Sequence, residues 1–203
     1  KIWRAVPDDR VAFYILSFLG EAHAPGEALA AALGLAPLNQ GVMHGRLPVA
    51  LAGFPEAGLP LKGWIQHYSG AENEDHTDTI PLHDFDGRPT GHPAVIELAE
   101  GNGVIIVLAY DPAQCVYLLR QGNPLLAGCR SSGLDRMRPS DLFEGWQDER
   151  TADWPTADLH GHFLRELIHR VWPEDTVLPW LWYFPDRADT VLIFTSDDDW
   201  STR

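Results

Sequence analysis

The side chains best suited to metal chemistry cluster in one predicted helix, over residues 158–172. They are His160, His162, Glu166 and His169. Residues three and four positions apart share a helix face, and nitrogen and oxygen ligands suit zinc or iron. A metal-bound water would then act as the nucleophile of a metal-dependent hydrolase. The same spacing also describes the polar face of an amphipathic helix, which is the alternative interpretation.

A second group of reactive side chains lies in residues 70–93, where acids have little basic compensation. This composition predicts a long exposed loop whose charge would attract a protein partner, particularly a basic one. Four histidines in or beside the segment, His67, His76, His83 and His92, offer another set of nitrogen ligands. The predicted partner-binding acids are Glu72, Glu74, Asp75, Asp78, Asp84 and Asp86.

Two tryptophans near the end of the chain form a further candidate site. Trp180 and Trp182 lie two positions apart, so a strand would present both side chains on one face. Aromatic side chains dominate binding hot spots, which makes the pair a candidate recognition patch, although large aromatics also commonly fill a core. Self-association through this patch would make the chain a structural, oligomerising subunit.

Other catalytic signatures do not occur in the sequence. It contains no Gly-x-Ser-x-Gly elbow and no Walker sequence for nucleotide phosphates. Cys115 and Cys129 have the spacing of neither a zinc nor a redox CxxC motif, so Cys115 is predicted to be a buried thiol at the start of a strand. The sequence therefore predicts no catalytic residue, and no cofactor outside the zinc or iron alternative.

Charge and hydropathy restrict the partners and the compartment. The 203 residues include 29 acids and 15 basic side chains, for a formal net charge of -14. This charge repels nucleic acid and anionic membranes. No apolar run reaches the roughly 18–20 residues that span a bilayer, and no signal-peptide pattern occurs at the start, so a cytoplasmic protein is expected.

Turn residues divide the first part of the chain. Proline and glycine interrupt residues 35–63, so long regular elements are not expected there. The elements predicted before residue 70 are helices over residues 8–19 and 25–33, the second ending at Gly34, and a short strand over residues 63–68.

The strongest strand pattern is a hairpin with arms over residues 94–99 and 104–110. Its second arm is apolar without alternation, so it is expected at the centre of the sheet. The other predicted elements are strands over residues 115–120 and 125–129, helices from Ser140 through Trp146 and over residues 158–172, and a final hairpin over residues 177–184 and 190–195.

Together these elements predict an α+β fold with a mainly antiparallel central sheet, two N-terminal helices and two helices in the C-terminal third. One globular domain over residues 1–203 is expected, with a small C-terminal subdomain over about 151–203 as an option. The predicted function is a protein-binding or inhibitory domain, for example a bacterial immunity protein that masks the active site of a toxin. The metal-dependent hydrolase and the oligomerising subunit are the alternatives.

Overall fold

A computed structural model describes residues 30–49, 58–69, 76–100, 103–128, 139–171 and 192. The chain divides into two compact units, Lys1–Val171 and Trp172–Arg203. All of the described residues except Leu192 belong to the first unit. Among the described residues, no helix is long and apolar enough to cross a membrane.

Five antiparallel strands form one sheet, in the order β2-β1-β3-β4-β5. The register between β1 and β3 includes one pair, Arg46 and His83. The five strands are β1 (Ala36–Leu47), β2 (Leu59–Ser69), β3 (His76–His83), β4 (Pro89–Glu100) and β5 (Gly103–Leu108).

The sheet curls so that its two edges meet. Ile65 of β2 forms an antiparallel bridge with Tyr110, which follows β5. The backbone N–H of Gln66 donates to the carbonyl oxygen of Ala109 at 2.7 Å. This closure covers both edge strands and encloses a core that includes Leu47, Leu61, Ile65, Leu82, Ile96 and Ile106, all fully buried.

Two α-helices cover β2. Helix α1 (Pro112–Gln121) begins at Asp111, whose side chain accepts the backbone N–H groups of Ala113 and Gln114. Helix α2 (Thr156–Val171) packs against α1 and β2, and it adds Phe163 and Leu167 to the core. Between the helices, the described residues 122–128 and 139–155 contain 3₁₀ turns at Pro124–Leu126, Pro139–Phe143 and Glu149–Thr151.

The coarse prediction of an α+β fold with an antiparallel sheet is confirmed. The hairpin of β4 and β5 is also confirmed, since Glu100 pairs with Gly103 across its turn. Residues 30–32 are helical and Gly34 has a φ of 70°, as expected at the end of the second predicted helix. Helix α2 matches the helix predicted over residues 158–172 within two residues.

The strands predicted over residues 115–120 and 125–129 are wrong where they are described. Residues 115–120 belong to α1, and residues 124–126 form a 3₁₀ turn. Asp111 caps α1 and Pro112 occupies its first turn. This combination starts a helix, because the aspartate satisfies free N–H groups and proline lacks the N–H that a first turn leaves unused.

The prediction for residues 35–63 is wrong, because β1 and the first five residues of β2 lie there. The long acidic loop predicted over residues 70–93 is also wrong from residue 76 onward, where β3 and the start of β4 are joined by a tight turn. Proline is tolerated at strand ends and bulges. Pro60 and Pro89 lie at the starts of their strands, and Pro37 and Pro81 border register shifts.

Two finer predictions are also wrong. Strand β5 is the last strand in the sheet order, whereas it was expected at the centre. Residues 105–108 are nevertheless buried, as expected, because the curled sheet covers them. The helix predicted from Ser140 through Trp146 is a 3₁₀ turn at Pro139–Phe143 followed by turn residues. The helix over residues 8–19 and the hairpin over residues 177–195 lie outside the described residues, apart from Leu192.

Candidate functional site

A cleft of about 230 Å³ lies between β2, the end of α1 and the segment that leads into α2. The 3₁₀ turn at Glu149–Thr151 and the first turn of α2 supply one wall. The lining residues include Pro60, Lys62, Leu119, Arg120, Trp146, Asp148, Trp154, Pro155 and Asp158.

A bulge in β2 places Lys62 in this cleft. Lys62 and Ile65, three residues apart, pair with His44 and Val42, which are two residues apart on β1. The extra residue interrupts the alternation of side chains between the two faces of the strand. Gly63 lies in the bulge and has a φ of 97°, which glycine adopts readily. As a result, five consecutive residues at the start of β2, including Lys62, are buried.

The Lys62 side chain is buried, with 5% of its surface exposed. Its Nζ lies 4.4 Å from the centre of the Trp146 ring, within cation–π range. Burial lowers the pKa of Lys62 to about 8, with Cys115 opposing the shift and the charge of Arg46 adding to it. Among the described residues, none forms a hydrogen bond or an ion pair with this Nζ.

The other charged groups that line the cleft have partners. Asp148 is buried and forms ion pairs with Arg46 and Arg150, the latter with Nε at 3.0 Å. At the rim, Arg120 pairs with Asp158. Lys62 is therefore the one charged lining residue that the described residues leave without an opposite charge.

Three cationic groups also surround the Phe85 ring. The Cζ atoms of Arg46 and Arg150 lie 5.5 and 5.4 Å from its centre, and Lys62 Nζ lies at 5.9 Å. Asp148 forms ion pairs with both arginines of this group. Lys62 therefore lies near two guanidinium groups at one side of the cleft, although the chain as a whole carries a net charge of -14.

A buried thiol and imidazole lie close to the cleft. His160 Nε2 is 3.5 Å from Cys115 Sγ and donates to the Pro60 carbonyl oxygen at 2.8 Å, which requires the proton on Nε2. Burial raises the pKa of Cys115 to about 12 and lowers the pKa of His160 to about 4. Both groups are therefore neutral near pH 7, whereas a nucleophilic thiol needs its thiolate form.

The predicted metal ligands of α2 lie on different sides of the helix. His160 is buried beside Cys115, whereas His162, Glu166 and His169 are exposed. His169 Nε2 accepts a hydrogen bond from Arg165 Nε at 3.3 Å. Across the described ranges, no group of three or more His, Cys, Asp or Glu side chains is arranged to hold a metal ion.

The four histidines of the 67–92 segment lie on three strands, and His76 and His83 are at opposite ends of β3. His67 and His92 stack with their ring centres 4.1 Å apart, and His67 is buried. His83 pairs with Arg46 and with Pro89 in the sheet register. The side chain of His76 is outside the described part of the molecule.

The described members of the predicted acidic surface have local partners. Asp78 pairs with Arg170 at 3.2 Å, and Asp86 with Arg88 at 3.6 Å. Asp84 accepts the backbone N–H of Arg88 at 2.8 Å and so stabilises the turn between β3 and β4. Five further predicted binding residues lie outside the described residues: Glu72, Glu74, Asp75, Trp180 and Trp182.

Lys62 was missed by the sequence analysis, although the sequence contains a signal for it. The chain has thirteen arginines but only two lysines, Lys1 and Lys62. Arginine and lysine differ in chemistry, because only lysine readily loses its proton when buried. A single internal lysine in an arginine-rich set is therefore a candidate for a role that arginine cannot take.

Comparison with known proteins found no matching family model, curated protein or solved structure. The geometry and charge of the cleft are therefore the basis for a functional proposal.

Proposed function

We propose that this chain is a binding domain whose cleft receives a carboxylate group of its ligand at Lys62. The observation that carries the proposal is that Lys62 Nζ faces no opposite charge among the described residues although the side chain is buried. Burying an unpaired charge is costly, so such groups concentrate at functional sites, where a ligand completes the pair.

The first turn of α2 supports an anionic ligand. Thr156, Ala157 and Asp158 line the cleft, and the positive end of a helix dipole favours negative charge. The backbone N–H groups of Thr156 and Asp158 already donate to the carbonyls of Trp154 and Pro155. They are not available to cradle a phosphate, so a carboxylate paired with a single ammonium fits the cleft better.

The size and walls of the cleft indicate a small ligand group. Its volume of about 230 Å³ is below the roughly 300–1,000 Å³ typical of sites for drug-sized molecules. Trp154, Leu119 and Pro155 offer apolar surface beside the charge. A small organic acid fits this description, and so does one aspartate or glutamate side chain of a protein.

The protein-binding function predicted from the sequence is one form of this proposal. In that form, the carboxylate belongs to a partner protein, which an inhibitory or immunity domain would hold through the cleft. Asp78 and Asp86, two acids proposed as the docking surface, are paired with Arg170 and Arg88. Their pairing favours the cleft over this surface as the primary contact.

Calorimetric titration with benzoate and with neutral benzamide tests the proposal. A charge-assisted hydrogen bond contributes about 1.5–3 kcal/mol, so benzoate should bind about ten- to a hundredfold more tightly. Lys62→Met should abolish that preference, whereas Arg88→Gln, which changes an exposed cation that pairs with Asp86 and does not line the cleft, should retain it. Equal affinities in the unmodified protein, or a preference that survives Lys62→Met, would contradict the proposal.

A second pair of probes separates the two sources of the carboxylate. A short peptide with one central glutamate is compared with its glutamine counterpart. Peptide binding that exceeds benzoate binding and depends on the glutamate favours a protein partner. Binding of benzoate without binding of the peptide favours a free organic acid.

A further inference from the structure

We infer that Lys62 is also a site of reversible carbamate formation, at which its amine takes up carbon dioxide. The inference rests on the open, unpaired lysine of the proposed function and adds a covalent ligand to the same cleft. It concerns the neutral form of Lys62, whereas carboxylate binding uses the charged form.

The composition of the chain singles out this amine. Lys62 is the only lysine beyond residue 1, and thirteen other positions use arginine. A guanidinium stays protonated in proteins, so it offers no nucleophilic nitrogen under conditions where a buried lysine does. Lysine at this position therefore provides an amine that can lose its proton, which arginine in its place could not.

The reaction balances without an oxidant or a second reactant. The lone pair of neutral Nζ attacks the carbon of carbon dioxide, and a nitrogen–carbon bond forms. One carbon–oxygen π pair moves onto oxygen, and the nitrogen releases a proton to solvent. Because the pKa of Lys62 is lowered to about 8, about a fifth of the side chains are neutral at pH 7.4, compared with about one in a thousand for an ordinary lysine.

The charges around Lys62 favour the carbamate product. Arg46 and Arg150 share the carboxylate of Asp148, and all three cations lie within 6 Å of the Phe85 ring centre. The Lys62 ammonium adds a third positive charge to this cluster. A carbamate instead brings a negative charge to a group that contains two guanidiniums, and opposite charges attract.

The remaining titratable neighbours do not supply a competing charge. Burial, together with the charge of Lys62, lowers the pKa of His44. Burial raises the pKa of Cys115 to about 12, although the Lys62 backbone N–H donates to its sulfur at 3.3 Å. The neutral imidazole and the neutral thiol add no charge of their own beside Lys62.

Chemical trapping tests the inference directly. The full chain is equilibrated with ¹³C-bicarbonate at pH 8, carbamates are fixed by O-ethylation, and the peptides are mapped by mass spectrometry. Lys62 should carry at least about tenfold more label than the ε-amine of Lys1, which fragment ions separate from the α-amine. Lys62→Arg, which keeps the charge, should remove the label from that peptide.

Label at Lys62 no greater than at the Lys1 ε-amine would overturn the inference, and this comparison needs no variant. The benzoate titration on the same preparation keeps the two proposals apart. Benzoate preference without label at Lys62 removes the carbamate inference alone. Label at Lys62 without benzoate preference supports the carbamate and removes the carboxylate-binding proposal alone.

Discussion

Two buried polar groups meet the start of β2, and they differ in partners and in access. His160 donates to the Pro60 carbonyl oxygen and lies beside Cys115 in a fully enclosed pair. Lys62, two residues along, reaches a cleft and has no ionic or hydrogen-bonding partner for its Nζ among the described residues. Residue type alone therefore does not identify a site in this molecule. A thiol and an imidazole with neighbours inside the core stabilise the fold, whereas an unpaired amine at an opening is poised for a ligand.

We expect the largest loss of stability when the buried carboxylate of the cleft is removed. Asp148→Asn removes the carboxylate that Arg46 and Arg150 share, and Arg46 is almost fully buried. Removing one partner of a buried ion pair leaves the other charge unpaired, so the free energy of unfolding should fall by about 3–5 kcal/mol, as measured by urea denaturation. The matched control, Asp158→Asn at the exposed pair with Arg120, should cost under about 1 kcal/mol. Similar costs for the two variants would contradict the assigned difference in burial.

Acid should destabilise the folded protein through protonation of the buried His160. The folded pKa of His160 is about 4 and its unfolded pKa about 6.5, so the unfolded chain binds the proton first and stability is lost as pH falls between these values. The loss attributable to His160 should be about 3 kcal/mol between pH 7 and pH 4. His160→Gln should flatten this part of the pH profile, whereas His162→Gln, on the exposed face of α2, should leave it unchanged. An unaltered slope in His160→Gln would show that this residue is not the group that titrates.

Substitution of Lys62 should change stability and ligand binding in opposite directions. Lys62→Met removes a buried, unpaired charge, so it should raise the free energy of unfolding by about 1–2 kcal/mol at pH 7 while abolishing benzoate preference. The folded pKa of Lys62 is about 8 and the unfolded value about 10.5, so the stability of the unmodified protein should rise across this range as the amine loses its charge. Denaturation at pH 7 and pH 10 measures both effects. A destabilised Lys62→Met variant would indicate that the cation–π contact with Trp146 outweighs the burial of the charge.

We expect the smallest change, a modest loss of benzoate affinity, from substitution of an apolar residue in the cleft wall. Trp154 is 38% exposed, so Trp154→Ala should change stability little and weaken benzoate binding by about fivefold, as expected for one apolar contact of about 1 kcal/mol. Tyr117→Ala provides the control, because Tyr117 is 61% exposed on α1 and does not line the cleft. Equal effects of the two variants on binding would place the ligand elsewhere.

Local signals predicted the elements that depend on local chemistry. The β4–β5 hairpin follows from its turn, and α2 follows from its apolar period. The prediction over residues 115–120 failed because Asp111 and Pro112 were interpreted as a turn between strands, whereas this pair starts α1. Composition also predicted a loop over residues 70–93, although β3 and β4 form there by pairing with each other.

The cleft depends on contacts between distant residues, which a single sequence does not reveal. Lys62 lines the same cleft as Trp146 and Asp148 because a bulge at Gly63 and the packing of α1 and α2 against β2 bring these segments together. The separation of His160 from His162 and Glu166 follows from helix geometry, but only the packing of α2 shows which face is buried. The scarcity of lysine was visible in the sequence and would have directed attention to residue 62.

The most direct test of the account is a pH titration of the lysine side chains by NMR. In protein labelled with ε-¹³C-lysine, the two lysines should give two signals, and Lys62→Arg identifies the signal of Lys62. Lys62 should titrate with a midpoint of about 8, well below the ordinary lysine value of about 10.4. A Lys62 signal that titrates near 10.4 would mean that burial does not lower the pKa of this amine, and would contradict its proposed role.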